Sequence, residues 1–254
     1  MESQIQAFLD RITTEKGMQI LLAVESGSRA WGFPSPDSDY DIRFIYRHPL
    51  DWYLTILNRK DTIERMTDDR LLDGMGWDLR KVLSLAFASN VSPFEWLQSP
   101  TVYREEPGFR DGLWETILPY FSPRAAVHHY LGIAEGISRR EWKGEEVKIK
   151  RYFYVLRPVL SARWVWIHKS PPPTVFAELL PLLEEHAPHL RRTVAELLEQ
   201  KAAAPEDATV DRLPELETYL LTQLDEGRLR ASGLPVGHRD EGALDAFYRK
   251  VVKG

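Results

Sequence analysis

The apolar pattern of this chain changes period once, and that change limits the folds open to it. Up to about residue 116 short apolar runs are interleaved with helical patterns; beyond it the strand signals thin out and amphipathic helices dominate. Ile5, Phe8, Leu9 and Ile12 recur at helical spacing and predict a helix over 2–15, ending near Gly17. Gln19 to Val24 is short, apolar and bounded by turn residues, so it reads as a buried strand. Tyr40 to Tyr46 is β-branched and aromatic enough for a second. Asp61 to Met66 and Leu71 to Met75 flank the polar stretch Thr67 to Arg70 and predict a hairpin or two further strands. From Asp78 to Asn90 the helical spacing returns through Leu79, Val82, Leu83, Leu85 and Ala86. A helix, then strands, then a helix predicts an α+β core on a small mixed sheet.

Downstream, residues 128–137, 147–167, 175–186, 190–201, 213–229 and 241–253 carry helical patterns. Pro171, Pro172, Pro173, Pro188, Pro205 and Pro235 stand at the joints as helix stops. A boundary at residues 110–120 divides the chain into an α+β half, 1–115, and an all-helical half, 116–254. The tryptophans Trp77, Trp96, Trp114, Trp142, Trp164 and Trp166 read as core packing. The absence of cysteine excludes disulfides, iron–sulfur and thiolate zinc sites, and cysteine nucleophiles. No apolar run approaches the ~20 residues that span a bilayer. The polar stretch after Met1 lacks the secretory pattern, and the cytoplasm is the expected location.

Chemistry concentrates in two neighbouring stretches, Ser26-Gly27-Ser28-Arg29-Ala30-Trp31-Gly32 and Pro36-Asp37-Ser38-Asp39-Tyr40-Asp41-Ile42. Asp39 and Asp41 lie two apart on a predicted strand, so their side chains share a face. Two adjacent carboxylates repel, and a divalent cation with a taste for hard oxygen, Mg²⁺ or Mn²⁺, relieves that repulsion. Gly27 lets a backbone approach a phosphate closely, while Ser28 opens a short helix whose N–H groups and hydroxyl suit phosphate oxygens. A phosphate-accepting turn and a metal-binding pair thus sit side by side. Either signal alone arises often by chance; their combination is more specific.

That combination resembles the DNA polymerase beta-like nucleotidyltransferase superfamily, whose signature is an apolar strand, Gly-Gly or Gly-Ser, a spacer, then Asp-apolar-Asp. The chain is most similar to a bacterial and phage branch of predicted nucleotidyltransferases associated with RNA ligases. The likeness runs through Gly27 to Gly32, Asp39 to Phe44, Gly76 to Lys81 and Lys150 to Pro158, covering roughly residues 20–168. It implies a third carboxylate on a neighbouring strand, which register to Trp77-Asp78-Leu79-Arg80-Lys81 puts at Asp73. Asp78 is the rival, and is also explained as a helix N-cap. The resemblance further implies two Mg²⁺ (or Mn²⁺) ions on Asp39, Asp41 and Asp73, an NTP as substrate with ATP expected, and Gly27 and Ser28 on the β and γ phosphates. An acceptor hydroxyl then attacks the α-phosphorus. Arg29 either adds a contact to phosphate or is a solvated turn residue.

Lys150, Tyr154 and Arg157 stand at i, i+4, i+7 on one predicted helix face. They form either a second wall of the cleft, with cations toward phosphate and the tyrosine on a base, or an ordinary exposed stripe. Arg43 continues the strand face of the acids and is expected to pair with them. Residues 139–169 carry nine basic and three acidic side chains in a chain of net charge −5. Such a segment suits an anionic ligand, or else solubilises a helix. Arg163 and His168 resemble the Arg-x4-His signature of helical HEPN ribonucleases, a short pattern of common residues. The acceptor is left between an RNA end and a protein or small molecule, with a catalytically inactive NTP- or RNA-binding module as the non-enzymatic alternative.

Overall fold

A computed structural model describes residues 1–253. The amino-terminal half runs α1 (Glu2–Lys16), β1 (Gln19–Glu25), α2 (Gly27–Trp31), β2 (Tyr40–Arg47), α3 (Leu50–Tyr53), β3 (Thr62–Met66), β4 (Leu72–Asp78), α4 (Leu79–Phe87), α5 (Ser92–Leu97), β5 (Val102–Glu105) and α6 (Phe109–Ile117). Five strands pair in the order β3-β4-β2-β1-β5, and β2 and β4 are parallel while every other pairing is antiparallel. The α+β class and the small mixed sheet are as the sequence predicts. The carboxy-terminal half runs α7 (Pro123–Glu141), β6 (Glu146–Lys148), α8 (Ile149–His168), α9 (Leu180–His186), α10 (Arg191–Ala203), β7 (Thr209–Asp211), α11 (Pro214–Ala231) and α12 (Gly242–Lys253). It departs from an all-helical half in one respect: β6 and β7 pair as a short antiparallel ribbon.

The pleat of β2 sets the two sides of the sheet. Ile42, Phe44 and Tyr46 turn to α1, where Ile5, Phe8, Leu9 and Ile12 bury the predicted stripe. Gly17 ends α1 in the left-handed region, at φ 58°, as a C-terminal glycine does. Gly74 and Gly76 of β4 leave room on this side for the rings of Phe8 and Phe44. The alternate residues of β2, Asp41, Arg43 and Ile45, turn to the other side. There Ile45 joins a cluster that extends from Leu22 and Val24 of β1 through α8 to Leu244 of α12. Trp96 and Trp166 are buried in it, Trp77 stacks on Trp96 with centroids 4.1 Å apart, and Trp114, Trp142 and Trp164 pack against it. One pleat therefore puts an apolar side chain under the helices at Ile45 and polar ones at the strand's open amino end.

Candidate active site

β1 and β2 diverge at Glu25, and the chain turns at once into α2. Ser26 N–H donates to the Asp41 carbonyl at 2.8 Å, and Gly27 follows with φ 58°. A Cβ at Gly27 would collide with Asp41 Oδ2, so the turn abuts the carboxylate because residue 27 has no side chain. Ser28 is buried, with its hydroxyl 3.3 Å from that of Ser38. The turn and the acid-bearing loop are thus pinned together.

Asp41 of β2 stands opposite Asp73 of β4 in the parallel register. Arg43 Nη2 lies between them, 2.6 Å from Asp41 Oδ1 and 3.0 Å from Asp73 Oδ2. Of the pairings expected for Arg43, the one with Asp41 is present; its second carboxylate partner is Asp73 and not Asp39. Asp39 precedes the first residue of β2. Its carbonyl is held by Arg29 Nε at 2.9 Å, Ser38's by Arg29 Nη2 at 2.6 Å, and the guanidinium lies over the Tyr40 ring at 3.9 Å. Arg29 thus clamps the loop that carries Asp39. Asp78 caps α4, accepting from Arg80 N–H at 2.9 Å and from the Tyr53 hydroxyl at 2.7 Å. It belongs to a different neighbourhood from Asp41.

Two acids that the sequence did not single out complete the group. Glu25 is buried behind Asp41, accepting the Asp41 N–H at 2.8 Å and the Tyr103 hydroxyl. Burial pushes its carboxyl up to about 7, with Asp41's charge adding to the rise. Glu206, between α10 and β7, takes Lys150 Nζ at 2.8 Å and lies 3.4 Å from Ser38 Oγ. Asp41 is raised above the usual carboxylate range by burial, against the opposing pull of Arg43. Asp39 is raised by partial burial and by the charges of Glu206 and Asp73.

The face of α8 splits. Lys150 reaches the acid group through Glu206. Tyr154 meets Trp31 edge-on at 5.7 Å, and its hydroxyl is pushed up to about 12 by burial and by Glu206, Asp41 and Asp39. Arg157 is buried, with both terminal nitrogens 3.1 Å from Glu95 Oε1, so its charge is already matched by a carboxylate. Arg163 is engaged by Gln223 at 2.9 Å, and His168 packs on Trp164.

The donor chemistry of Asp39, Asp41 and Asp73 suits a hard divalent cation, whose charge would relieve the strain on Asp39 and Asp41. Among the described residues no three acidic or histidine side chains are already drawn into a metal-holding group. The positive charge between Asp41 and Asp73 is Arg43's own.

A sequence profile of the RNA repair pathway DNA polymerase beta family, RlaP, matches residues 1–250. The chain belongs to this family. The RlaP match takes in the helical half, beyond the segments that carry the likeness in the sequence. A protein of Bacillus subtilis strain 168, the uncharacterized YcgL, is 40% identical over 240 residues, covering 94% of this chain and 92% of that one. A crystal structure of a nucleotidyltransferase-like protein from Exiguobacterium sibiricum 255-15 aligns over all of this chain and 80% of its own, at 10% identity and a TM-score of 0.33. Nucleotidyl transfer is the chemistry to which membership of RlaP points. No helix among the described residues is long and apolar enough to cross a membrane.

Proposed function

We propose that this protein moves a nucleoside monophosphate from an NTP, ATP first, to the hydroxyl of an RNA end. The observation that carries the reading is the register pair Asp41 and Asp73 against a turn that only glycine can bring so close. Gly27 and Ser28 receive the β and γ phosphates, and Lys150 stands at the edge of the same acid group. Mg²⁺ or Mn²⁺ on Asp39, Asp41 and Asp73 would supply charge neutralisation at the phosphates and lower the acceptor hydroxyl's pKa. In this scheme Asp73 takes the hydroxyl's proton; the new O–P bond forms at the α-phosphorus, and the bond to the pyrophosphate oxygen breaks. Arg29 positions Asp39, and Arg43 aligns Asp41 with Asp73. The acid-bearing half, 1–115, holds the reacting phosphate, and the helical half, 116–254, faces it with cations.

RNA is favoured as acceptor by Arg140, Lys143 and Lys148, which are exposed and enter no ion pair among the described residues, close in sequence to Lys150. The test is incubation with each α-labelled NTP and Mg²⁺ or Mn²⁺, offering total RNA, protein lysate or neither. Label in RNA that disappears with Asp39→Asn, Asp41→Asn supports the proposal. Label in protein moves the acceptor to a polypeptide. No label, with NTP binding unchanged in the double variant, makes the protein an inactive binding module.

A further inference from the structure

Beside the acids, at the far end of α2, lies a cavity of about 160 Å³ that the scheme above does not use. Trp31, Tyr130 and Tyr154 supply aromatic walls, and Glu95, His129 and Arg157 supply polar ones. It is smaller than the roughly 300–1,000 Å³ of a pocket for a whole ligand, so it fits one planar ring system whose remainder lies outside. Trp31 is four residues from Gly27, about 6 Å along a helix, and Gly27 touches Asp41. A ring in the cavity would therefore have its phosphates at the serine turn.

The polar walls are unevenly satisfied. Glu95 Oε1 accepts both terminal nitrogens of Arg157 and the Tyr130 hydroxyl, at 3.1, 3.1 and 2.9 Å. Glu95 Oε2 accepts no hydrogen bond among the described residues, although the side chain is one-fifth exposed beside the cavity. Arg157 is 4% exposed, and its Nε has no partner. A carboxylate whose first oxygen is fixed by a buried guanidinium has its second oriented in advance, as a hydrogen-bond acceptor only.

Resting on the nucleotidyl-transfer reading, we infer that this cavity takes the base of the NTP and that Glu95 is its specificity-determining residue, selecting bases that bear an amino group. Adenine, cytosine and guanine each present an amino N–H. Uracil has none, and its single ring N–H lies between two carbonyl oxygens that repel a carboxylate. One hydrogen bond to a charged, desolvated acceptor sets the preference at roughly 10- to 100-fold.

The experiment compares kcat/KM for ATP and for purine riboside 5′-triphosphate, which differs only in lacking the amino group, on the unaltered protein. A fall of roughly tenfold or more for the analogue is expected; equal use overturns the inference. ATP, CTP, GTP and UTP are then compared on the unaltered protein and on Glu95→Gln, in which the amide oxygen keeps Arg157 and the amide N–H₂ turns to the cavity. Disfavour of UTP is expected first and its relief or reversal second; an unchanged preference in a folded Glu95→Gln protein overturns the inference. The analogue comparison needs no variant and decides the matter if Glu95→Gln does not fold. A preference that follows the terminal base of the RNA and not the NTP also overturns it. Transfer that ignores the amino group sinks this inference alone, whereas no transfer from any NTP sinks the reading beneath it.

Discussion

Gly27 and Asp41 share a space that holds only one side chain, which makes residue 27 as informative as the acids. Gly27→Ala must displace the Asp41 carboxyl and place a Cβ in the left-handed region, costing about 1–2 kcal/mol in backbone alone. The expected result is a melting temperature lower by roughly 2–8 °C and label transfer near background, since for a chain of this size each 1 kcal/mol moves the midpoint by about 2–4 °C. Asp41→Asn should separate the two effects. Burial disfavours the charge at Asp41, so the neutral amide should leave the metal-free melting temperature equal or higher while transfer falls by on the order of 100-fold or more. A marked loss of stability in that variant would contradict the account. Glu25 gives a pH signature of its own. Its carboxyl is raised from 4.5 to about 7, so the folded protein favours its neutral form. That contribution is complete below about pH 4.5 and is lost as the pH climbs through about 7. Thermal melts across this window should show the unaltered protein losing stability relative to Glu25→Gln as pH rises; parallel curves would refute the assignment. The close approach at Gly27 and the acid at Asp41 were visible in the sequence, but the state of Glu25 was not, because its hydroxyl partner Tyr103 is 78 residues away.

At the level of elements, the contest between Asp73 and Asp78 is one of which end of β4 faces which partner. Asp73 lies near the start of the strand, beside Asp41; Asp78 ends it beneath α4, satisfied by Arg80 N–H and Tyr53. Asp78→Asn keeps a capping side chain and is expected to retain transfer with a loss of at most about 1–2 kcal/mol, read from a denaturant melt. Asp73→Asn is expected to keep the fold and lose transfer. The opposite pattern would hand the third position to Asp78. The strands β1, β2, β3 and β4 were legible as apolar or alternating runs bounded by turn residues, whereas their pairing register, which sets Asp41 opposite Asp73, comes from the structure. β5 was not: Val102 is exposed and the edge strand is only four residues long, too few to show a period. β6 and β7, three residues each, were hidden for the same reason. The helices from α7 to α12 were readable within a few residues because they bury apolar stripes and because prolines stand at the joints from α8 onward, although α8 itself holds Pro158. Partners across elements were not readable: the pattern that put Lys150, Tyr154 and Arg157 on one face carried no sign that Glu95 and Glu206 had claimed two of them.

Across the whole molecule, the two halves meet through aromatic side chains from the very loop that carries the acids. Phe33 lies 5.0 Å from Phe153 of α8 and 5.4 Å from Phe176, and Trp31 lies against Tyr154. Lys201 of α10 is buried with its Nζ 2.9 Å from Ser35 Oγ, so residues 31–38 are lodged in the helical half although they belong to the sheet half in sequence. The apolar cluster is continuous through this junction, and a continuous core unfolds as one cooperative unit. Calorimetry should therefore give a single transition whose calorimetric and van't Hoff enthalpies agree. Phe33→Ala removes the ring at the centre of the junction, a truncation that costs about 3–5 kcal/mol in a packed core. It should lower that single transition by roughly 6–20 °C without splitting it, with the helical signal in far-ultraviolet circular dichroism and amide-exchange protection of β1 and β2 lost together. If the helical signal outlasted the sheet's protection, the halves would be independent folding units, and the geometry that brings Lys150 and Tyr154 to the acids would be a docking arrangement and not a consequence of one core.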